Sequence, residues 1–288
     1  MKRTIALAAA SAAWSLAGLA GDASDDFVRT ARPVYAADPN CTTSVVERFS
    51  KSARDDDRRP GTVRWVAVRG ARNVRDIGGW TGLKTGLVYR GSEVGMTEGR
   101  DGKRHGYEEY CGEGLRVFAG EMKLKTDFDL REKSEYGTNW PHSVIGGGVK
   151  ALNRNVGNYV SLYSYGGARQ FAEALREFAN PGIYPTYIHC AGGADRTGTL
   201  CFVLETLCGV SLADATIDYE LTSFSPVGRR LRNREADQPF AVMVRAMSGF
   251  PGKTFSDKVA YWAEKVAGLT KEEIAAIRAN LTDVRPQP

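Results

Sequence analysis

The sequence predicts an α/β fold: a mixed central sheet flanked by helices, with a helical C-terminal part. Three observations predict it. From residue 62 onward, short strand-like runs alternate with helical periodicity. One apolar run, Thr186-Tyr187-Ile188-His189, leads through a glycine-rich turn straight into an apolar helix. Beyond that helix the chain carries only helix signals. Such an order implies a sheet covered by helices.

The elements follow in order. Strands are predicted at Val63–Val68, Gly86–Arg90, Thr126–Leu130 and Val149–Leu152. A helix from Ala168 to Ala179 places Phe171, Leu175 and Phe178 on one face, and Asn180-Pro181-Gly182 stops it. Thr186–His189 is a buried strand, and the helix from Thr197 to Cys208 is capped by Gly209. Ser211-Leu212-Ala213-Asp214 opens the next helix in the manner of a capping box. Ser256–Val266 carries Val259, Trp262, Ala263 and Val266 on one face. Thr270-Lys271-Glu272-Glu273 caps a last helix with Ile274, Ile277 and Leu281 inward.

The chain has 288 residues, 42% hydrophobic and 25% charged, which excludes disordered, collagen-like and coiled-coil classes. A net charge of +5, from 39 basic and 34 acidic residues with no long block of one sign, is too small to argue for nucleic acid. Five cysteines are too sparse for a disulfide framework. His105, His142 and His189 lack metal-ligand spacing, so no metal is expected. Cys201 and Cys208, seven apart on an apolar helix, read as core; Cys41 and Cys111 are free to pair in an oxidising compartment.

Lys2 and Arg3 precede an uncharged Ala- and Leu-rich run from Thr4 to Ala20 that ends in small residues. This reads as a secretory signal peptide over residues 1–20, with a retained anchor helix as the alternative and Val34-Tyr35-Ala36 as a second exit. The run is short and Ala-rich for a membrane span, and the expected location is periplasmic or secreted. Residues 21–60 read as a loose polar lead-in with a short helix near Thr43–Phe49, closed by Pro60-Gly61. Residues 61–288 form the catalytic domain.

The chemistry sits in His189-Cys190-Ala191-Gly192-Gly193-Ala194-Asp195-Arg196-Thr197-Gly198-Thr199, between a predicted strand and a predicted helix. A tight loop of small residues turns backbone N–H groups inward, and the helix N-terminus adds more donors and a positive dipole end. Five residues between Cys190 and Arg196 let the chain circle one phosphate. Ala191, Gly192, Gly193, Ala194, Asp195, Arg196 and Thr197 line that cradle. Arg196 grips two phosphate oxygens with its planar fork. A free thiol titrates near ~8.5, and this field lowers it, so Cys190 is a thiolate nucleophile. It attacks phosphorus, displaces the ester oxygen and forms a phosphocysteine that water hydrolyses. Thr197 donates to the thiolate, and His189 orients the loop. No cofactor is required.

The loop resembles that of the cysteine-dependent protein tyrosine phosphatase superfamily. In ending Asp-Arg-Thr-Gly it is similar to the bacterial tyrosine/dual-specificity branch. Arg72-Asn73-Val74-Arg75-Asp76-Ile77-Gly78-Gly79, Val88-Tyr89-Arg90-Gly91-Ser92 and Asp127-Phe128-Asp129-Leu130-Arg131 with Glu135 resemble further segments of that branch, over residues 63 to 225. The resemblance implies hydrolysis of protein phosphotyrosine, with dual specificity and a phosphorylated protein or small phosphomonoester as partner. It suggests Asp195 as general acid; Asp129 is the second candidate, and a loop-bracing role for Asp195 stands beside the acid role. Trp140-Pro141-His142 has His where the acid loop of other phosphatases has Asp. Arg90 and Arg131 either line the pocket or pair with Asp76 or Glu135. Related loops often carry Lys where this chain has Ala194, which disfavours inositol phosphates and phosphoinositides. Those substrates are the alternative reading, and a non-catalytic phosphate-binding module is a third.

Overall fold

The computed structural model describes residues 14–49, 64–80, 82–94, 97–98, 104–105, 112–135, 143–146, 148–235 and 239–283. Helix α1 (Trp14–Ala36) leads into the core. It is followed by β1 (Arg75–Asp76), β2 (Val88–Ser92), a small ribbon of β3 (Thr97–Glu98) and β4 (Arg104–His105), and the short α2 (Gly112–Leu115). Then come β5 (Thr126–Asp129), β6 (Lys150–Asn153), α3 (Tyr165–Glu177) and β7 (Thr186–Cys190). The chain ends in α4 (Arg196–Leu207), α5 (Leu212–Leu221), α6 (Phe240–Ser248), α7 (Phe255–Trp262) and α8 (Lys271–Leu281).

The central sheet has five strands in the order β1-β2-β7-β5-β6. β1 is antiparallel to β2 and the other pairs are parallel, so the sheet is mixed as expected. Ser92 stands opposite Cys190, and Asp129 opposite His189. The carboxyl ends of β2, β7 and β5 therefore meet at one edge, where ligands bind in open parallel sheets. Every residue of α4 from Thr197 to Leu207 is buried, Glu205 included, as expected of a mostly apolar helix with no polar face. That burial anchors the turn between β7 and α4. Cys201 and Cys208 lie in this core, in agreement with the sequence reading.

Several expectations are corrected. The expected strand at Val63–Val68 is absent over its described residues; Trp65 makes only an isolated bridge to Arg75. The described part of the stretch expected to be a loose lead-in, residues 21–49, packs onto the core. Phe27, Ala31 and Tyr35 recur every fourth residue along α1 and form one buried stripe. The Tyr35 hydroxyl donates to Glu220 on α5 and accepts from the Val45 amide at 3.0 Å. The short helix near Thr43 is a single 3-10 turn, Val46–Arg48. Val66 and Val68 alternate without a partner strand, whereas the Asp, Ser and Arg residues of α1 mask its narrow stripe. Val266, expected inward, is 41% exposed, because the helix widens to a π turn over Ala263–Ala267 and rotates that side chain outward. α7 begins at a full capping box on Thr254 and Asp257, just ahead of the predicted start. Ser211 and Thr270 cap α5 and α8 as predicted. α6 was not predicted. Pro60-Gly61, Cys111 and Trp140-Pro141-His142 lie outside the described residues; Cys41 is a free, buried thiol.

Candidate active site

The loop from Cys190 to Arg196 joins the last residue of β7 to the first of α4. Its shape requires Gly193. That residue has φ +65°, and a Cβ there would lie 2.0 Å from the Gly91 carbonyl oxygen on β2. Two buried side chains grip the Gly193 carbonyl: Asn73 Nδ2 at 3.0 Å and Arg90 Nη2 at 2.9 Å. The C=O and N–H of one peptide point in opposite directions. Fixing this carbonyl toward Asn73 and Arg90 turns the following N–H, that of Ala194, away from them. The first N–H groups of α4 have no intrahelical acceptor. Together these make the donor set an anion needs.

Behind the loop lies a fully buried ion cluster. Arg90 Nη1 donates to Asp218 Oδ2 at 2.6 Å, and Arg75 Nε to Asp218 Oδ1 at 3.1 Å. Burial opposes ionisation of Asp218, but Arg75 and Arg90 outweigh it and draw its carboxyl down to about 2. Arg75 also donates to Asn73 Oδ1 at 2.5 Å, which aims the Asn73 amide at the loop. Arg90 therefore pairs with Asp218, not with Asp76 or Glu135. Asp76 instead accepts from the amides of Gly78 and Gly86. Arg131 pairs with Asp129 and with Glu93.

The Cys190 side chain is buried at the loop mouth and interacts with the Arg196 guanidinium. Arg196 is held end-on: Nη1 and Nη2 lie 2.6 and 2.7 Å from the two oxygens of Glu135. This pairing holds Glu135 below the usual carboxylate range and raises Arg196. Thr197 is buried, and its hydroxyl has no partner among the described residues. Ala194 is only 1% exposed. The His189 ring is buried beside two carboxylates, with Nε2 2.9 Å from Asp127 and Nδ1 3.9 Å from Asp129. Burial opposes its charge, but Asp129 and Asp127 prevail and raise it to about 9.

Both candidate acids are braced in this structure. Asp129 accepts from the Arg131 backbone amide at 2.9 Å and from its guanidinium. Burial works against its charge, but His189 and Arg131 hold its carboxyl below the ordinary value. Asp195 takes both arms of Arg230, Nε at 2.8 Å and Nη2 at 2.9 Å, and the Tyr159 hydroxyl at 2.5 Å. Tyr219 in turn lies 2.8 Å from the Tyr159 hydroxyl. Burial again opposes ionisation, and Arg230, Tyr159 and Arg196 overcome it, so Asp195 is lowered. Asn73 and Arg90 stood in motifs noted from the sequence. Asp218, Tyr159 and Arg230 carried no such signal; their roles arise from contacts across 35 or more positions.

A strand, an anion loop opened by a thiol and closed by an arginine, and a buried helix define the class of cysteine-loop phosphatases. The model of the tyrosine phosphatase family matches residues 66–283, and the chain belongs to that family. The match runs through the C-terminal helices, beyond the segment on which the sequence resemblance rested. The chain is similar to the core catalytic domain of PP-IP phosphatase SIW14 from S. cerevisiae, solved in complex with citrate. The identity is 22% and the TM-score 0.39, over 58% of this chain and 84% of that one. No curated protein matches the chain.

Proposed function

We propose that this phosphatase hydrolyses phosphomonoesters through a phosphocysteine on Cys190. The carrying observation is the register of Cys190 at the end of a central parallel strand, one loop before a buried helix that starts at Arg196. Phosphate seats on the loop amides and on Arg196. Glu135 takes the end-on face of that guanidinium, which leaves the Nε edge for two equatorial oxygens. The Cys190 sulfur attacks in line, the P–O bond breaks, and its electron pair leaves with the ester oxygen. The loop donors stabilise the equatorial charge. Thr197 donates to the departing thiolate, and Asp195 protonates the leaving oxygen once Arg230 lets go of it. Asp129, fixed on Arg131, braces His189 and hence the loop.

Protein phosphotyrosine is the substrate the family suggests. The argument against inositol phosphates rested on Ala194. A positive charge supplied from elsewhere in the chain would offset the missing lysine. Arg230 beside the loop favours the second reading, a small polyphosphorylated substrate. We retain export after signal cleavage and membership of the bacterial branch as part of the proposal.

Cys190→Ser tests the reading. Turnover of p-nitrophenyl phosphate should vanish while inorganic phosphate still binds. Retained turnover overturns it.

A further inference from the structure

Arg230 is built into the site from outside the loop. Ser223 pins it by both backbone groups: the Arg230 amide donates to Ser223 Oγ at 2.7 Å, and that hydroxyl donates to the Arg230 carbonyl at 2.8 Å. Three residues earlier, Val227 packs against the loop so closely that a Cβ on Gly192 would lie 3.1 Å from it. Val227 and Arg230 thus flank the loop on one side. The Arg230 side chain is 14% exposed and that of its bidentate partner Asp195 32%, so solvent reaches the pair. Asp195 is the chain neighbour of Arg196. A fork already set for two oxygens of a carboxylate also fits two oxygens of a phosphate.

We propose that Arg230 binds a second phosphate of the substrate, adjacent to the one being cleaved, and that this exchange releases Asp195. The proposal rests on the phosphatase reading above and narrows its substrate class to small vicinal polyphosphates such as inositol bisphosphates. With a monophosphate, Arg230 lets go of Asp195 only part of the time, and the acid step is correspondingly slow. With a vicinal bisphosphate, the second phosphate takes Arg230, and the main support of the Asp195 anion is gone. The carboxyl then accepts a proton from solvent and passes it to the ester oxygen as the S–P bond forms and the P–O bond breaks.

The test compares kcat and KM for a vicinal inositol bisphosphate, an inositol monophosphate and phosphotyrosine peptides with and without a flanking acidic residue. The wild-type chain should favour the bisphosphate over the monophosphate. Arg230→Ala should lower that preference at least about tenfold, by raising KM for the bisphosphate and by freeing Asp195 equally on both substrates, which removes the bisphosphate's advantage in kcat. Arg230→Lys, which keeps charge without the fork, should fall between and guards against a folding defect, with thermal melts of both variants as the control. Equal losses on mono- and bisphosphate overturn the proposal, as does a wild-type preference for the acidic peptide or none at all. Activity on p-nitrophenyl phosphate that survives those results leaves the parent reading intact. Activity independent of Cys190 removes the parent reading.

Discussion

The Arg90 guanidinium, wholly buried, donates to the carbonyl oxygen of Gly193 at 2.9 Å. Its other arm is on Asp218 at 2.6 Å. Removing one partner of a buried pair costs about 3–5 kcal/mol, because the other charge is stranded. Asp218 keeps Arg75, so Arg90→Ala should lower stability by about the low end of that range in urea unfolding and reduce kcat on p-nitrophenyl phosphate. Arg90→Lys keeps the charge but cannot reach both acceptors, so it should fold better than Arg90→Ala and still lose rate.

Asp195→Asn keeps the shape of the side chain and removes the proton. An acid role predicts a larger loss of kcat on phenyl phosphate than on p-nitrophenyl phosphate, whose leaving group needs no proton. Steady-state rates on the pair decide it; equal losses would assign Asp195 to bracing alone.

His189 is held protonated in the folded chain, raised from 6.5 to about 9. A raised folded value on a base means that its stabilising contribution is full below the unfolded value near 6.5. It is lost as pH rises through about 9. The wild-type melting temperature should therefore fall between pH 7 and 10 more steeply than that of His189→Gln.

Glu205 on α4 is fully buried, and neither carboxylate oxygen has a hydrogen-bond partner among the described residues. Burial, with Asp218 nearby, raises its carboxyl well above the ordinary value against the pull of Arg90, Arg64 and Arg75. A raised acid binds its proton on folding, so stability is greatest at low pH and declines as pH climbs. Glu205→Gln should melt higher than wild type at pH 8, and the gap should close toward pH 5.

Phe27 on α1 is completely buried, in ring contact with Phe224 at 5.1 Å. Phe27→Ala should cost about 3–5 kcal/mol in equilibrium unfolding, the range for truncated core aromatics. A neutral result would show that α1 is not part of the folded core. If the chain is exported, cleavage after Ala20 keeps this helix stripe, whereas cleavage after Ala36 discards it; N-terminal sequencing of the exported form should find the former.

Local patterns carried much of the fold. The apolar run 186–189, the turn glycines and the mostly apolar helix after them announce one another, because strand, turn and helix preferences act over a few residues. Caps at Ser211 and Thr270 were readable for the same reason. α1 was not, since its stripe has meaning only against α5. Nor was the outward turn of Val266, which depends on a π turn that periodicity does not register.

By itself, the sequence determined the order strand, thiol, run of small residues, arginine and buried helix, because that spacing is local. Only tertiary structure decided which carboxylate holds which guanidinium: Glu135 on Arg196, Asp218 on Arg90 and Arg230 on Asp195. A chain with 39 basic and 34 acidic residues permits very many such pairings. Charge alone does not choose among them. The choice falls to packing, which buries a few of these groups and so makes an unpaired one too costly to keep.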